Sequence, residues 1–356
     1  MLRSLADVNH IADLYSVPPE DVLLIALNAS GARSSLPFPR ARFTLRLASH
    51  PSESFFQIVS LARPNSPFYL TREQLFLGSE SVADVVHIDN DDVVVSYFRD
   101  AGRALTLNSN ARSHCVGCVF CYNTLETTSD PTLRSTTDLH TYARLIELER
   151  GPDCIPQLYE ITVCTGCFQH ENLAIDHLRS VRAVFGSYGF TGTVRILSSV
   201  IRSADAFAAI ADDIAPFHLT LTVECFSHRE DVLKHSKATL TPEEMPAVLE
   251  RARHFGFDVD FTYIVGLDTA DVTIAGIESL YPYVTRFPRF QIYQPHNAFM
   301  EYFRAPDAAR IEYYLAVRGA VERLFATTAL RPQVHHNYRP LWYLRFAGEN
   351  IDGARI

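Results

Sequence analysis

His114-Cys-Val-Gly-Cys-Val-Phe-Cys-Tyr-Asn123 is the stretch on which the reading of this chain turns. It sets Cys115, Cys118 and Cys121 within seven residues. Thiolates this close are soft ligands, and soft ligands at short spacing select zinc, copper(I) or an iron–sulfur cluster. A structural zinc or an electron-transfer cubane draws four protein ligands, so a set of three leaves one metal position open.

Outward from this loop the chain alternates between strand and helix. A strand is predicted over 104–108, leading into the cysteines, followed by a helix over 137–150. Strands over 158–163, 192–197, 218–223, 259–265 and 290–294 alternate with helices over 172–185, 204–212, 242–255, 271–284 and 308–325. Thr241 is the expected N-cap of the 242–255 helix and Gly256 its stop. About six strand–helix units predict an α/β fold with a parallel sheet. That sheet is either a complete or partial barrel or an open doubly wound one. Residues 1–100 differ: after a short helical start, strands are expected over 42–48, 55–60, 82–88 and 92–98. They predict a small β-rich or α+β N-terminal domain, and residues 301–356 a C-terminal helix and tail on the barrel.

In a barrel, the residues that follow the strands line one mouth. Here they are chemically loaded. The first strand is followed by the three cysteines, the second by Cys164-Thr-Gly-Cys-Phe-Gln-His-Glu171, and the third by Ser198 and Ser199. The fourth leads to Glu224, Ser227, His228 and Arg229, the fifth to Gly266 and Asp268, and the last to Gln294, His296 and Asn297.

With those groups in place, the stretch over 103–300 resembles the radical S-adenosylmethionine (SAM) superfamily. That family carries three cysteines after the first barrel strand, usually as Cys-x3-Cys-x2-Cys with an aromatic before the last. Phe120 fits, whereas the spacing here is Cys-x2-Cys-x2-Cys, a tighter loop. Where the family has Gly-Gly-Glu after the second strand, this chain has Thr165-Gly166-Cys167, with Glu171 as the nearby acid. Leu221-Thr-Val-Glu-Cys-Phe-Ser-His-Arg229 is similar to the fourth-strand segment, and Thr262-Tyr-Ile-Val-Gly266 to the motif beside the adenine.

The resemblance implies a partial (β/α)6 TIM-type barrel. It also implies a [4Fe–4S] cluster on Cys115, Cys118 and Cys121 whose open iron takes the amino and carboxylate groups of SAM. Glu224 would meet the ribose, and Arg229 the methionine carboxylate through its planar fork. Thr165, Gly166 and Glu171 would hold the amino end, with Ser198, Ile264 and Gly266 completing the SAM bed. An electron from a donor such as flavodoxin or ferredoxin would cleave SAM to a 5′-deoxyadenosyl radical that abstracts hydrogen from substrate. Cys164, Cys167 and His296 are the candidate catalytic groups.

Plainer readings stand beside these. The three cysteines could hold a structural zinc completed by His114 or a distant cysteine, whereas residues 122–130 lack the cysteine of a ferredoxin-like carrier. Cys164 and Cys167 could bind a second metal, act as a redox pair, or pack as small hydrophobes. Cys154 and Cys225 read as core residues. His296 and Asn297 suit substrate contact or loop hydrogen bonding equally. The stretch His335-His-Asn-Tyr-Arg-Pro-Leu-Trp-Tyr343 holds the only tryptophan and reads as a tail packed over the barrel, or as a substrate cap.

Bulk properties narrow the rest. A chain of 356 residues with 47% hydrophobic and 21% charged content is an ordinary globular protein. A net charge of −9 argues against generic nucleic-acid binding. No apolar run of membrane-spanning length and no apolar signal core occur, so a cytoplasmic protein with reduced cysteines is expected. Arginine almost replaces lysine, which occurs only at positions 234 and 237, and this reads mainly as a GC-rich genome's bias.

No cysteine follows Cys225, against a C-terminal auxiliary-cluster domain, and no Asp-x-His-x-x-Gly stretch precedes the core, against a cobalamin-dependent methyltransferase. A single-cluster enzyme acting on a nucleoside, sugar or amino acid in specialised metabolism is the expectation. The alternatives are a peptide-modifying radical enzyme with a leader-gripping N-terminal domain, and a non-catalytic zinc or iron–sulfur protein.

Overall fold

The computed structural model describes residues 2–91, 96–108, 117–121, 135–164, 168–333 and 336–351. Cys115, Thr165, Gly166 and Cys167 lie outside these residues, as does the first half of the strand expected over 92–98.

The helical start is a pair, α1 (Leu5–Tyr15) and α2 (Pro19–Ser30). A capping box opens α1: Ser4 Oγ accepts the Asp7 N–H and the Asp7 carboxylate accepts the Ser4 N–H, both at 3.2 Å. In α2 every residue from Asp21 to Ala29 is buried, as befits a helix that is apolar nearly all round. Then come β1 (Arg33–Ser34), β2 (Arg40–Leu47), β3 (Phe55–Ser60), β4 (Phe68–Leu70), β5 (Gln74–Leu77) and β6 (Glu80–Asn90). They form a six-stranded sheet in the order β1-β4-β5-β6-β2-β3, antiparallel except for the β1–β4 pair.

The second sheet starts with β7 (Ser96–Arg99), antiparallel to β8 (Ala104–Leu107). There follow α3 (Thr136–Arg150), β9 (Glu160–Val163), α4 (Glu171–Ser187), β10 (Thr193–Ser198), α5 (Ala204–Asp213) and β11 (Phe217–Glu224). After two short helices, α6 (Arg229–Val232) and α7 (His235–Ala238), come α8 (Met245–His254), β12 (Asp258–Val265), α9 (Ala270–Leu280) and β13 (Arg289–Ile292). The chain finishes with α10 (Ala298–Tyr302), α11 (Ile311–Phe325) and the small hairpin β14 (Arg345–Phe346) and β15 (Glu349–Asn350). From β8 to β13 neighbours in the sheet follow chain order and every pair is parallel. This is the expected partial (β/α)6 barrel, with β7 added at one edge.

Three helix boundaries differ from expectation by three residues or more, the first being the end of the helix predicted over 271–284, which stops at Leu280 and passes into a 3-10 turn at Tyr281–Tyr283. The helix predicted over 242–255 begins at Met245, because the Thr241 N–H bonds the Glu244 carboxylate at 3.0 Å and closes a turn first. The helix predicted over 308–325 begins at Ile311, after a 3-10 turn at Pro306–Ala309. Among the described residues, no helix is long and apolar enough to cross a membrane.

The barrel strands alternate along most of their length. In β11, Phe217, Leu219, Leu221 and Val223 join the apolar core, while His218, Thr220, Thr222 and Glu224 occupy the opposite face, all of them buried. Barrel interiors are usually filled by Val, Ile and Leu, so a buried polar face implies that the lumen holds something other than hydrocarbon packing. The tail runs along β13, where the Ile292 N–H meets the Arg339 carbonyl at 2.9 Å and Asn337 Nδ2 meets the Phe290 carbonyl at 3.2 Å. Trp342, 2% exposed, is wedged among Phe287, Phe290 and Phe346, with its indole N–H on Glu322 at 2.8 Å.

Candidate active site

The described part of the cysteine loop, residues 117–121, lies against the segment that follows β11. The Val119 N–H bonds the Val232 carbonyl at 2.9 Å, and Cys118 Sγ accepts the Lys234 N–H at 3.4 Å. Cys118 is 5% exposed, in a cluster with Cys225, Val232, Leu233, Leu267, Tyr293 and Met300. Phe120, Cys121 and Ile264 pack on the same cluster. Of the six groups expected at one mouth, those following β8, β11, β12 and β13 meet in this cluster.

Gly117 has φ +114°, and a Cβ there would approach the Lys234 Cβ to 3.0 Å. The close approach of the two loops therefore needs glycine. Gly266 has φ +122°, with Tyr293 Cβ 3.0 Å from where its own Cβ would stand.

Glu224 ends β11 at a register shift, with φ +68°, a backbone region costly for a non-glycine residue. The twist brings its carboxylate to Lys237, 2.6 Å from Oε1 to Nζ, with both side chains buried. Lys237 Nζ also stands 6.0 Å above the ring of Phe120. The only two lysines in the chain therefore both serve this mouth, one through its backbone N–H and one through its ammonium. Lys237 is a site residue that the sequence reading gave no role. Its rarity in an arginine-rich chain was the available signal.

Arg229 is buried and directed onto backbone. Its Nη1 bonds the carbonyls of Val223 (2.6 Å) and Cys225, and its Nη2 the carbonyl of Lys237 (3.1 Å). Only Nε has no partner. Glu171 is likewise engaged: it accepts the N–H groups of Arg202 and Ser203 and the Ser203 hydroxyl at 2.7 Å, and so holds Ser203, the N-cap of α5. Ser198 is buried and accepts the Val200 N–H at 3.2 Å. Cys164 is half-buried at the end of β9, its N–H on the Leu107 carbonyl at 2.9 Å. His296 follows β13, where burial first, then Arg40, Arg339 and Arg63, push its pKa down to about 2 and keep the ring neutral. Burial, reinforced by Asp268, pushes the Cys225 thiol up, so it stays protonated as a core residue should. Asp268, expected at the mouth, clamps the loop after β11: it accepts the Phe226 N–H (2.7 Å), the Ser227 N–H (3.0 Å) and the Tyr263 hydroxyl (2.7 Å).

Among the described residues, no three His, Cys, Asp or Glu side chains gather as a metal site, and Cys115 lies outside them. The two described cysteines fit a cluster loop: they are one turn apart, with the Cys121 N–H on the Cys118 carbonyl at 3.1 Å. An amide N–H aimed at Sγ stabilises thiolate over thiol and tunes cluster sulfurs.

Below the mouth, the lumen holds an ionic network. Arg99 donates to Thr106 (2.7 Å), Glu160 (3.0 Å) and Thr162 (2.8 Å). Arg195, wholly buried, donates to Thr220 at 2.8 Å, pairs with Asp260, and sits 3.6 Å from Glu160. Burial opposes the charge on Glu160 and Asp260. For Glu160 Arg195 and Arg99 outweigh it, for Asp260 chiefly Arg195, so both carboxyls lie below their usual range. A depressed carboxyl pKa contributes stability that is fully present above the unfolded value, about 4, and is lost as pH falls through the folded value. The urea midpoint is therefore expected to fall steadily below about pH 4, and the Glu160→Gln variant to show a flatter acid limb. Parallel acid limbs would exclude Glu160 from this role.

No family model matches the chain, and no curated protein matches it. Among solved structures it is similar to coproporphyrinogen III oxidase (HemN) from Escherichia coli, a radical SAM enzyme, at 15% identity and TM-score 0.38 over 59% of this chain and 49% of that chain. It is also similar to SuiB from Streptococcus suis bound to S-adenosylmethionine, at 11% identity and TM-score 0.37 over 56% of this chain and 43% of that one. This chain thus spans less than half the length of either.

Proposed function

We propose that this protein is a radical SAM enzyme acting on a small molecule of nucleoside, sugar or amino acid type in specialised metabolism. The observation that carries the reading is the convergence at one barrel mouth of the Cys118–Cys121 loop, the buried Glu224–Lys237 pair and the Ile264–Gly266 strand end. Cys115, Cys118 and Cys121 would hold a [4Fe–4S] cluster. With SAM bound, that group supplies a carbon radical able to remove hydrogen from an unactivated position.

The chain's own contribution is placement. Lys234 directs its N–H at Cys118, and Arg229 fixes the loop after β11 by binding three carbonyls. Lys237 holds the Glu224 carboxylate in place through its 2.6 Å ion pair, where the carboxylate can accept from a ribose hydroxyl. Phe120 and the apolar cluster around Cys118 exclude water from the reacting region. A flavodoxin or ferredoxin is the proposed electron donor.

The test is anaerobic reconstitution of the whole chain with iron and sulfide. About four irons per chain and release of 5′-deoxyadenosine from SAM with a reductant are expected. Retention of zinc alone, or iron near zero, would remove the reading.

A further inference from the structure

Among the described residues, one buried charge in the lumen has nothing to pair with. Arg289, the first residue of β13, is 8% exposed, and among those residues its side chain makes no hydrogen bond or ion pair; Nε and Nη2 are fully enclosed. Thr222 is 4% exposed and its hydroxyl is also without a partner. The two residues share a level of the sheet: Thr222 is registered with Thr262, and Thr262 with Arg289. Glu224 lies beyond Thr222 toward the mouth end of β11, past the register shift.

The charges around Arg289 do not neutralise it. Arg99, Arg195 and Arg289 face Glu160 and Asp260, three guanidiniums against two carboxylates. Glu160 is engaged by Arg99 and Thr162, and Asp260 by Arg195. His218, 3.3 Å from Asp260, is held neutral by burial and by Arg195. Burial, then the charges of Arg195 and Arg99, lower the Arg289 pKa. An isolated buried guanidinium is strongly unfavourable unless something of opposite charge meets it.

We propose that Arg289 and the Thr222 hydroxyl, inside the barrel below the mouth, bind an oxyanion of the substrate, a carboxylate or a phosphate. This deepens the radical SAM reading and rests on it for the word substrate. Arginine's planar fork suits either anion through two parallel bonds, and a threonine hydroxyl adds a third donor. An anion anchored there would extend the rest of the molecule up the lumen toward Glu224 and the cysteine loop. Thr262, at the same level of the sheet, adds a neutral hydroxyl beside Arg289 and Thr222.

The test titrates inorganic phosphate and, separately, acetate into the full-length chain by calorimetry, which needs neither iron nor SAM. At least one is expected to bind, and the better of the two says whether the substrate is phosphorylated or a carboxylic acid. Arg289→Met should weaken that binding about tenfold or more. Arg289→Lys should retain part of it, and Thr222→Val should weaken it less than Arg289→Met does. Because Arg289→Met removes an unpaired buried charge, it should melt no lower than the parent. Binding of neither anion, or equal binding by Arg289→Met, overturns the proposal. So does loss of SAM binding in Arg289→Met, which would give the arginine to SAM's own carboxylate. Failure of 5′-deoxyadenosine release with anion binding intact would instead count against the radical SAM reading alone.

Discussion

The Cys118→Ser variant, reconstituted like the parent, is expected to lose its iron almost completely and to release 5′-deoxyadenosine at least about a thousandfold more slowly, some 4 kcal/mol of barrier. Serine keeps nearly the same volume but offers a hard oxygen in place of a soft thiolate. Cys118 is 5% exposed and stands between the Lys234 N–H and the cluster of Tyr293 and Met300. The exchange therefore alters ligand chemistry more than packing, and far-ultraviolet circular dichroism should match the parent. Three outcomes separate the readings. Loss of iron with the fold intact supports the cluster. Loss of zinc together with cooperative unfolding would mark a structural zinc loop. Unchanged metal content would make Cys118 a small core residue and end the proposal.

A large loss of stability is expected for Asp21→Ala. Asp21 is fully buried on α2, where its Oδ1 accepts the N–H groups of Tyr343 (3.2 Å) and Leu344 (2.9 Å) and its Oδ2 meets Arg318 Nη1 at 2.5 Å. Three parts of the chain meet there: the N-terminal helical pair, α11 and the tail. Removing Asp21 strands the Tyr343 and Leu344 N–H groups and takes one of the two carboxylates from Arg318, which keeps Glu322 at 2.9 Å, at a cost of about 3 kcal/mol. The urea midpoint should fall accordingly, with Asp21→Asn less damaging because it still accepts from the backbone. A loss below about 1 kcal/mol would place Asp21 among ordinary surface carboxylates.

Much of the barrel was legible because its signals are local. Alternation through Phe217–Glu224 marks a strand whatever lies beside it, and a polar residue after each strand marks the mouth. The same alternation also announced the charged lumen, in Asp258, Asp260 and Thr262 of β12 and in Arg289 of β13, although only the strand ends were read chemically. What the sequence could not convey is which distant residues pair. Asp21 meets Arg318 across 297 positions, and Ser60 gives its N–H to Gln294 across 234. Arg99, in the stretch read as N-terminal domain, reaches into the barrel because β7 pairs with β8. Such pairings arise from closure of the fold, and no spacing rule encodes them. The helix at Met245 shows the converse, a local competitor: the turn from Thr241 to Glu244 satisfies the backbone before the helix can start.

The confinement of both lysines to the mouth gives this protein an unusual chemical surface. Elsewhere, acylation of amines scatters over a whole exterior. Here Lys234 and Lys237 are the only side-chain amines the chain presents, one against the cysteine loop and the other beneath Phe120. Any reagent that acylates a lysine side chain of this chain therefore reacts within this one segment, and whatever covers Lys234 and Lys237 shields it.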